Sequence, residues 1–215
     1  MEGRNGMDVA SQPEDGGAST AEPLAVVFFD FDSTLTVPQY IPRARQYALA
    51  DNPRLFASMS EDEIFANFGG RDRVKRLAEM LQHLQRRRAQ LFIISLGFSD
   101  AIRAHLGTAG LAAFFPEDQI YGQDSPALAG VHHRKPWLIA RLLQHNGWPP
   151  EQALFVDDDD RHISLCKKLQ ACPCLKVRSH GLDEAEMRAI EARAGPPAED
   201  AEGAVPAPVL CCGID

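Results

Sequence analysis

No stretch of the 215-residue sequence approaches the run of roughly 18 apolar residues that a membrane span needs. Residues 1–17 also lack the apolar segment of a signal peptide. A cytoplasmic protein is therefore expected, with the nucleus open as well. Basic charge is not in excess. There are 22 Lys and Arg against 30 Asp and Glu, a formal charge of −8, which argues against unselective nucleic-acid binding. The five cysteines are an odd count with no export signal, which points to a reducing compartment. Cys166 reads as core. Cys172-Pro173-Cys174 has no second pair, so no zinc site is expected. Cys211-Cys212 sit near the C-terminus, and Cys212-Gly213-Ile214-Asp215 has the frame of a prenylation box. Its Gly213 and final Asp215 are the wrong fillings, so no prenyl anchor is expected, though palmitoylation stays open.

What is present is a 45% hydrophobic chain, too apolar for wholesale disorder. Its length suits one domain of roughly 100–200 residues. Residues 1–23 are rich in Gly, Ser, Pro and acids, and residues 195–215 in Pro, Ala and Gly. Both read as disordered acidic tails around a body at 24–194. Within the body, short apolar runs at Leu24–Phe29, Leu91–Ile94, Ile120–Tyr121, Ala153–Val156 and Cys174–Val177 have the look of buried parallel strands. Helical patterns fall between them. Ser60-x-x-Glu63 is a capping box. Val74, Leu77, Ala78, Leu81 and Leu84 form one face between Arg71 and Arg88. Ser99 can cap a helix carrying Ile102 and Leu106. Pro136 suits the first position of a helix burying Leu138, Ile139, Leu142 and Leu143. Ile163, Leu165, Cys166 and Leu169 imply one more. The alternation predicts a three-layer α/β/α Rossmann-like fold around a central parallel sheet. Ligands of such sheets sit beyond the carboxyl ends of the strands.

The strand ends carry the reactive residues. The first ends Phe29-Asp30-Phe31-Asp32-Ser33-Thr34. A carboxylate after a buried strand is costly unless paired or metal-bound. A tight turn can aim Asp30 and Asp32 at one substrate, one as nucleophile and one as acid/base. The second run ends at Ser95, whose hydroxyl can bond a phosphoryl oxygen, and Gly97 permits close backbone approach. Lys135 opens a helix and offers positive charge to an anion. The run 153–156 is followed by Asp157, Asp158, Asp159 and Asp160. Adjacent carboxylates there call for a cation, and hard oxygen ligands favour Mg2+.

These four segments, in this order, resemble the haloacid dehalogenase-like (HAD) hydrolase superfamily. Asp30-Phe31-Asp32-Ser33-Thr34, Ser95, Lys135 and Asp157-Asp158 match its four motifs, over about residues 24–178. The resemblance implies a phosphatase with a small or minimal cap. It makes Asp30 the nucleophile that forms an aspartyl-phosphate and also a metal ligand. Asp32 becomes the acid/base and a ligand through its carbonyl. Thr34 buttresses the loop, Ser95 and Lys135 hold the phosphoryl group, and Asp157 and Asp158 serve the metal. The pattern departs at Arg161 and His162, where many members carry an acid or Asn. Asp159, Asp160 and His162 are the candidates for the outer metal shell.

The ordinary competing readings are a turn pair for Asp30 and Asp32, surface charge for Lys135, and helix-dipole acids for Asp159 and Asp160. His132 and His133 read as loop histidines, His162 as a helix-surface residue, Arg86-Arg87-Arg88 as a solvated helix end, and Trp137 and Trp148 as packing residues. Residues 36–70 are the one candidate cap, a small helical insert after the first strand. A small cap fits a phosphorylated small molecule or a phosphoprotein as substrate. Arg43, Arg45, Arg54, Arg71 and Arg73 are candidates to grip further anionic groups. The alternatives are a phosphotransferase or phosphomutase of the same fold, or a non-catalytic binding protein. Finally, the two tails each carry −4, so the body at 24–194 is formally neutral and open to an anionic substrate.

Overall fold

The computed structural model describes residues 23–39, 51, 54, 55, 58–178 and 180–195. The expected tails lie outside the described residues apart from Pro23 and Gly195. So do Arg43, Arg45, Cys211 and Cys212, and part of the 36–70 insert. None of the described helices is long and apolar enough to cross a membrane.

The described strands form one parallel sheet: β1 (Val26–Phe29), β2 (Gln90–Ile94), β3 (Ile120–Tyr121), β4 (Ala153–Asp157) and β5 (Cys174–Lys176), in the order β3-β2-β1-β4-β5. The fold is the expected α/β Rossmann-like architecture. β1 sits at the centre because it is buried on both faces and β-rich, as Val-Val-Phe-Phe requires. Side chains alternate between faces. Val27, Phe29, Leu91, Ile93 and Val156 face one way, against α2 (Arg71–Arg86), α3 (Ser99–Thr108) and α7 (Glu184–Ala194). Val26, Phe28, Phe92, Ile94 and Phe155 face the other, against α5 (Lys135–Asn146) and α6 (Asp160–Leu169). Two shorter helices are α1 (Glu61–Asn67) and α4 (Pro126–Ala129).

Strand register brings the reactive residues to one level. Phe29 lies opposite Ile93 on one side and Val156 on the other. The chain therefore leaves all three strands at the same height, and Asp30 emerges beside Asp157. This edge is where strand order reverses, with β1 to β3 running one way from the centre and β4 and β5 the other.

Several local expectations change. Ser99 is the first helical residue of α3 rather than its cap; Phe98 occupies the cap position without a side-chain bond. The Ser99 hydroxyl donates instead to Asp124 Oδ1 at 2.9 Å. Trp137 is not packed but 44% exposed, because it follows Lys135 and Pro136 on the outer side of α5. Trp148 does pack, with its ring 5.9 Å from that of Phe92. Helix α7 had no counterpart among the helical patterns of the sequence. Its signal was available in Asp183-x-x-Glu186, a capping box with both bonds formed, followed by Met187, Ile190 and Ala194 on the buried side. α7 is tied to α2 by Arg76, which chelates Glu191 at 2.7 and 2.8 Å and reaches Glu184 at 3.0 Å.

Candidate active site

The first element of the site is a turn. Asp30 leaves β1 extended, and Phe31–Leu35 coil into a single tight turn with Ser33 in the left-handed region at φ 59°. The hydroxyl that braces this turn belongs to Thr36. It donates to Phe31 O at 3.0 Å and accepts from Ser33 N at 3.2 Å. Thr34, the residue expected to buttress the loop, is fully buried, and its hydroxyl has no hydrogen-bond partner among the described residues. Thr34 contributes through its carbonyl, which accepts from Leu182 N at 2.8 Å.

The second element is the loop after β2. Ser95 is fully buried, and its Oγ accepts from Gly97 N at 3.1 Å. A Cβ on Gly97 would lie 3.2 Å from Asp32 Oδ2 and 3.6 Å from Ser95 Oγ, so the absent side chain leaves room for the Asp32 carboxyl beside the Gly97 backbone. The loop is latched from behind. Gln123 N donates to Gly97 O at 2.9 Å, Gly122 N donates to Ser99 Oγ at 3.1 Å, and Asp124 Oδ1 accepts from Ser99 N at 2.9 Å.

Lys135 joins the two halves of the sheet edge. It is 2% exposed, and its Nζ donates to Asp157 Oδ2 at 2.8 Å. The same Nζ lies 2.7 Å from Asp30 Oδ1 as an ion pair. Asp157 is fully buried, and its other oxygen accepts from Asp159 N at 2.7 Å. Oxygens of Asp30, Asp157 and Asp158 lie within 4.8 Å of one another. Three carboxyl groups thus gather at one point, and two of them share one ammonium.

The electrostatics follow from that count. Burial pushes the Asp30 carboxyl well above the ordinary carboxylate range. Asp157 and Asp32 add to the rise, against the pull of Lys135. Burial and then Asp157 raise Asp158 as well. Burial opposes the charge on Lys135, but Asp30 and Asp157 outweigh it and hold the ammonium protonated.

The neighbouring acids divide as their positions dictate. Asp159 caps α6, accepts from Arg161 N at 2.8 Å, and is held at about 2, chiefly by the Arg161 guanidinium. Asp160 pairs with Lys176 at 2.9 Å. His162 is not a surface residue. It is buried on the inner side of α6, and burial together with the Lys135 charge lowers its pKa. His132 and His133 are exposed loop residues, as expected.

Of the described arginines expected to grip an anion, Arg71 and Arg73 are otherwise engaged. Arg71 pairs with Glu61 at 2.8 Å and lies 3.8 Å over the Phe65 ring. Arg73 is turned inward onto backbone carbonyls. Arg54 is exposed. Sequence reasoning also missed His105, which is buried against Phe31 and Phe68 with ring centroids at 5.9 and 6.3 Å. Its Nδ1 donates to Ala101 O at 2.8 Å, which leaves Nε2 to accept from Asn67 Nδ2 at 3.0 Å. That bond joins the insert to α3. No local motif could have announced it, since the partners are far apart in sequence.

An α/β sheet whose carboxyl edge gathers acids around one buried lysine defines a Rossmann-like protein with a carboxylate-centred site. The chain belongs to the haloacid dehalogenase-like hydrolases: a model of that family matches residues 49–169, more than half its length. The match begins after Asp30 and Asp32, so those two rest on their geometry alone. No curated protein matches the sequence. Similar solved structures include a haloacid dehalogenase-like family protein of Streptococcus pneumoniae, 19% identical, covering 78% of this chain and 90% of that one, TM-score 0.46. A HAD family hydrolase of Deinococcus radiodurans R1 with bound phosphate and sodium is 20% identical, covering 78% and 88%, TM-score 0.42. The L-2-haloacid dehalogenase of Xanthobacter autotrophicus is 19% identical, covering 83% and 86%, TM-score 0.46.

Proposed function

We propose that this hydrolase cleaves a phosphomonoester through an aspartyl-phosphate on Asp30. The observation that carries the reading is the cluster of Asp30, Asp157 and Asp158, two of them paired to a single buried lysine. Displacement of a halide needs one carboxylate nucleophile and no such cluster. Two further acids beside the nucleophile make sense with a bound cation. The donor set fits a divalent ion of the Mg2+ type: all-oxygen, anionic, and in excess over the local positive charge. Asp30, Asp157 and Asp158 would hold it, with the Asp32 carbonyl as the family resemblance implies. When bound, the ion supplies positive charge to the phosphoryl oxygens.

The chain's own residues do the rest. A carboxylate oxygen of Asp30 attacks phosphorus, and the bond to the leaving oxygen breaks. Asp32, whose carboxyl lies beside the Gly97 backbone, protonates that leaving oxygen. Ser95, the Gly97 backbone and Lys135 hold the phosphoryl oxygens. Asp32, now anionic, takes a proton from water. The resulting hydroxide attacks phosphorus, and phosphate leaves with Asp30 restored. Attack requires anionic Asp30, and Lys135 favours that form against burial. The 24–194 body is read as one hydrolase domain with the 36–70 insert as its cap. A phosphorylated small molecule or phosphoprotein is the substrate class.

The test is phosphate release from an aryl phosphate with Mg2+, with and without chelator, in the parent and in Asp30→Asn. Activity that is lost on chelation and in the variant, with the thermal transition of the variant kept, supports the reading. Unchanged turnover in Asp30→Asn overturns it. Transfer of label to an alcohol acceptor instead of water would redefine the enzyme as a phosphotransferase.

A further inference from the structure

Arg73 sits in the first turn of α2 in a poor place for a cation. It is largely buried beside a helix N-terminus, where the helix dipole is positive. Burial lowers its pKa to about 10, with Glu186 opposing. No salt bridge to it occurs among the described residues. Instead its guanidinium donates to backbone carbonyls of three separate segments. Nη1 bonds Leu35 O at 2.6 Å and Phe68 O at 2.8 Å. Nη2 bonds Thr34 O at 3.2 Å and Leu182 O at 3.0 Å, and Nε also reaches Leu182 O at 3.2 Å.

The identity of those carbonyls gives the arrangement its meaning. Thr34 and Leu35 end the turn that carries Asp30 and Asp32, and Leu35 is also where the chain enters the insert. Phe68 is where the chain leaves it. The two connections are bonded to each other by Val37 N donating to Asn67 O at 2.7 Å. Two glycines make room for the side chain. A Cβ on Gly181, at φ +79°, would lie 2.7 Å from Arg73 Nη2 and 2.5 Å from Thr36 O. One on Gly69, at φ +81°, would lie 3.0 Å from Arg73 Cδ. A planar fork with five donors can satisfy carbonyls from several directions in a way an ammonium cannot.

We infer that Arg73 is a positioning residue: it pins both ends of the 36–70 insert and the Asp30–Thr36 turn to one point, so that the insert cannot shift without re-aiming Asp32. The inference extends the hydrolytic reading and rests on it for the kinetic part of its test. Two variants are compared with the parent, Arg73→Lys and Arg73→Met, each checked for a cooperative thermal transition. Amide hydrogen exchange is followed by mass spectrometry, together with kcat, KM and inhibition by inorganic phosphate on an aryl phosphate with Mg2+.

The expected result for Arg73→Lys is at least tenfold faster exchange confined to residues 34–39, 67–70 and 180–182, with β1, β2 and β4 unchanged. kcat should fall at least tenfold while phosphate inhibition stays within threefold, because Ser95 and Lys135 are untouched. Arg73→Met should show the same pattern more strongly. Faster exchange spread evenly over the sheet would mean a merely structural arginine and overturn the inference, as would unchanged exchange at the three segments. If the parent hydrolyses no phosphomonoester, the reading of the reaction fails, and the exchange pattern alone decides for or against the pin.

Discussion

Removing the Lys135 ammonium should destabilise the fold strongly, and the protein should recover when a carboxylate is neutralised with it. Asp157 is 0% exposed, Asp30 4%, and Lys135 bridges them at 2.8 and 2.7 Å. Breaking a buried pair by deleting one partner costs about 3–5 kcal/mol, because it strands the other charge. For a chain of this size each kcal/mol moves the melting temperature by about 2–4 °C. Lys135→Met keeps the aliphatic volume and should therefore melt roughly 6–20 °C below the parent in the presence of chelator. The double variant Lys135→Met/Asp30→Asn removes one of the stranded charges at almost constant shape and should melt higher than the single variant. Mg2+ should raise the melting temperature of Lys135→Met more than that of the parent, since the cation no longer competes with an ammonium for the acids and binding to the native state stabilises as the logarithm of affinity. Thermal unfolding followed by circular dichroism reads all of these arms. A single variant within about 2 °C of the parent, less than one kcal/mol on that scale, or a double variant less stable than the single, would show that the three-acid cluster is not held together by this ammonium.

Gly122→Ala tests the latch behind Ser95. The new methyl would lie 2.5 Å from both Ser99 N and Asp124 Oδ1, so about 1–3 kcal/mol of stability should be lost to overpacking, with kcat on an aryl phosphate falling as the Ser95–Gly97 loop shifts. An unaltered melting curve and kcat would dismiss the latch. His105 tests pH dependence. Burial lowers its pKa from 6.5, so below that value the unfolded chain binds a proton that the folded chain refuses, and stability contributed by the neutral ring is lost as pH falls. The melting difference between the parent and His105→Gln should therefore shift against the parent between pH 7.5 and 5. A constant difference across that range would exclude buried, neutral His105.

What the sequence made legible was whatever one segment carries alone. Phe28-Phe29-Asp30-Phe31-Asp32 joins the end of a strand to a reactive turn, and the register of β1 with β4 then places Asp157 beside Asp30 without further information. Lys135 was legible because it opens a patterned helix. His162 stands in the first turn of α6 next to the buried Ile163, and its burial depends on how that end of the helix packs at the site, which residue pattern alone does not state. Thr36 rather than Thr34 braces the turn for a related reason: which hydroxyl closes it is set by the left-handed Ser33, not by residue type. Arg73 was legible as a charge but not as a pin. Its partners at Leu35, Phe68 and Leu182 are backbone atoms, and any sequence would supply them.

The charge count at the sheet edge leads to a requirement that does not depend on family. A phosphate dianion entering this site meets the carboxyl cluster of Asp30, Asp157 and Asp158, with Lys135 the cation paired to two of them. At an effective dielectric near 20, each uncompensated pair of unit charges at about 4 Å opposes binding by about 4 kcal/mol. One ammonium already shared by two carboxylates cannot offset that, so inorganic phosphate should bind the parent only together with a divalent cation. Calorimetric titration of phosphate into the protein should give no measurable heat in chelator and saturable binding with Mg2+, a change of more than tenfold in apparent affinity. Asp158→Asn should narrow the gap by weakening phosphate binding in Mg2+, because it removes one acid of the cluster at which the cation is retained. Phosphate that binds equally well in chelator would mean that other cationic groups reach the site, and the three acids would then need an explanation other than a metal.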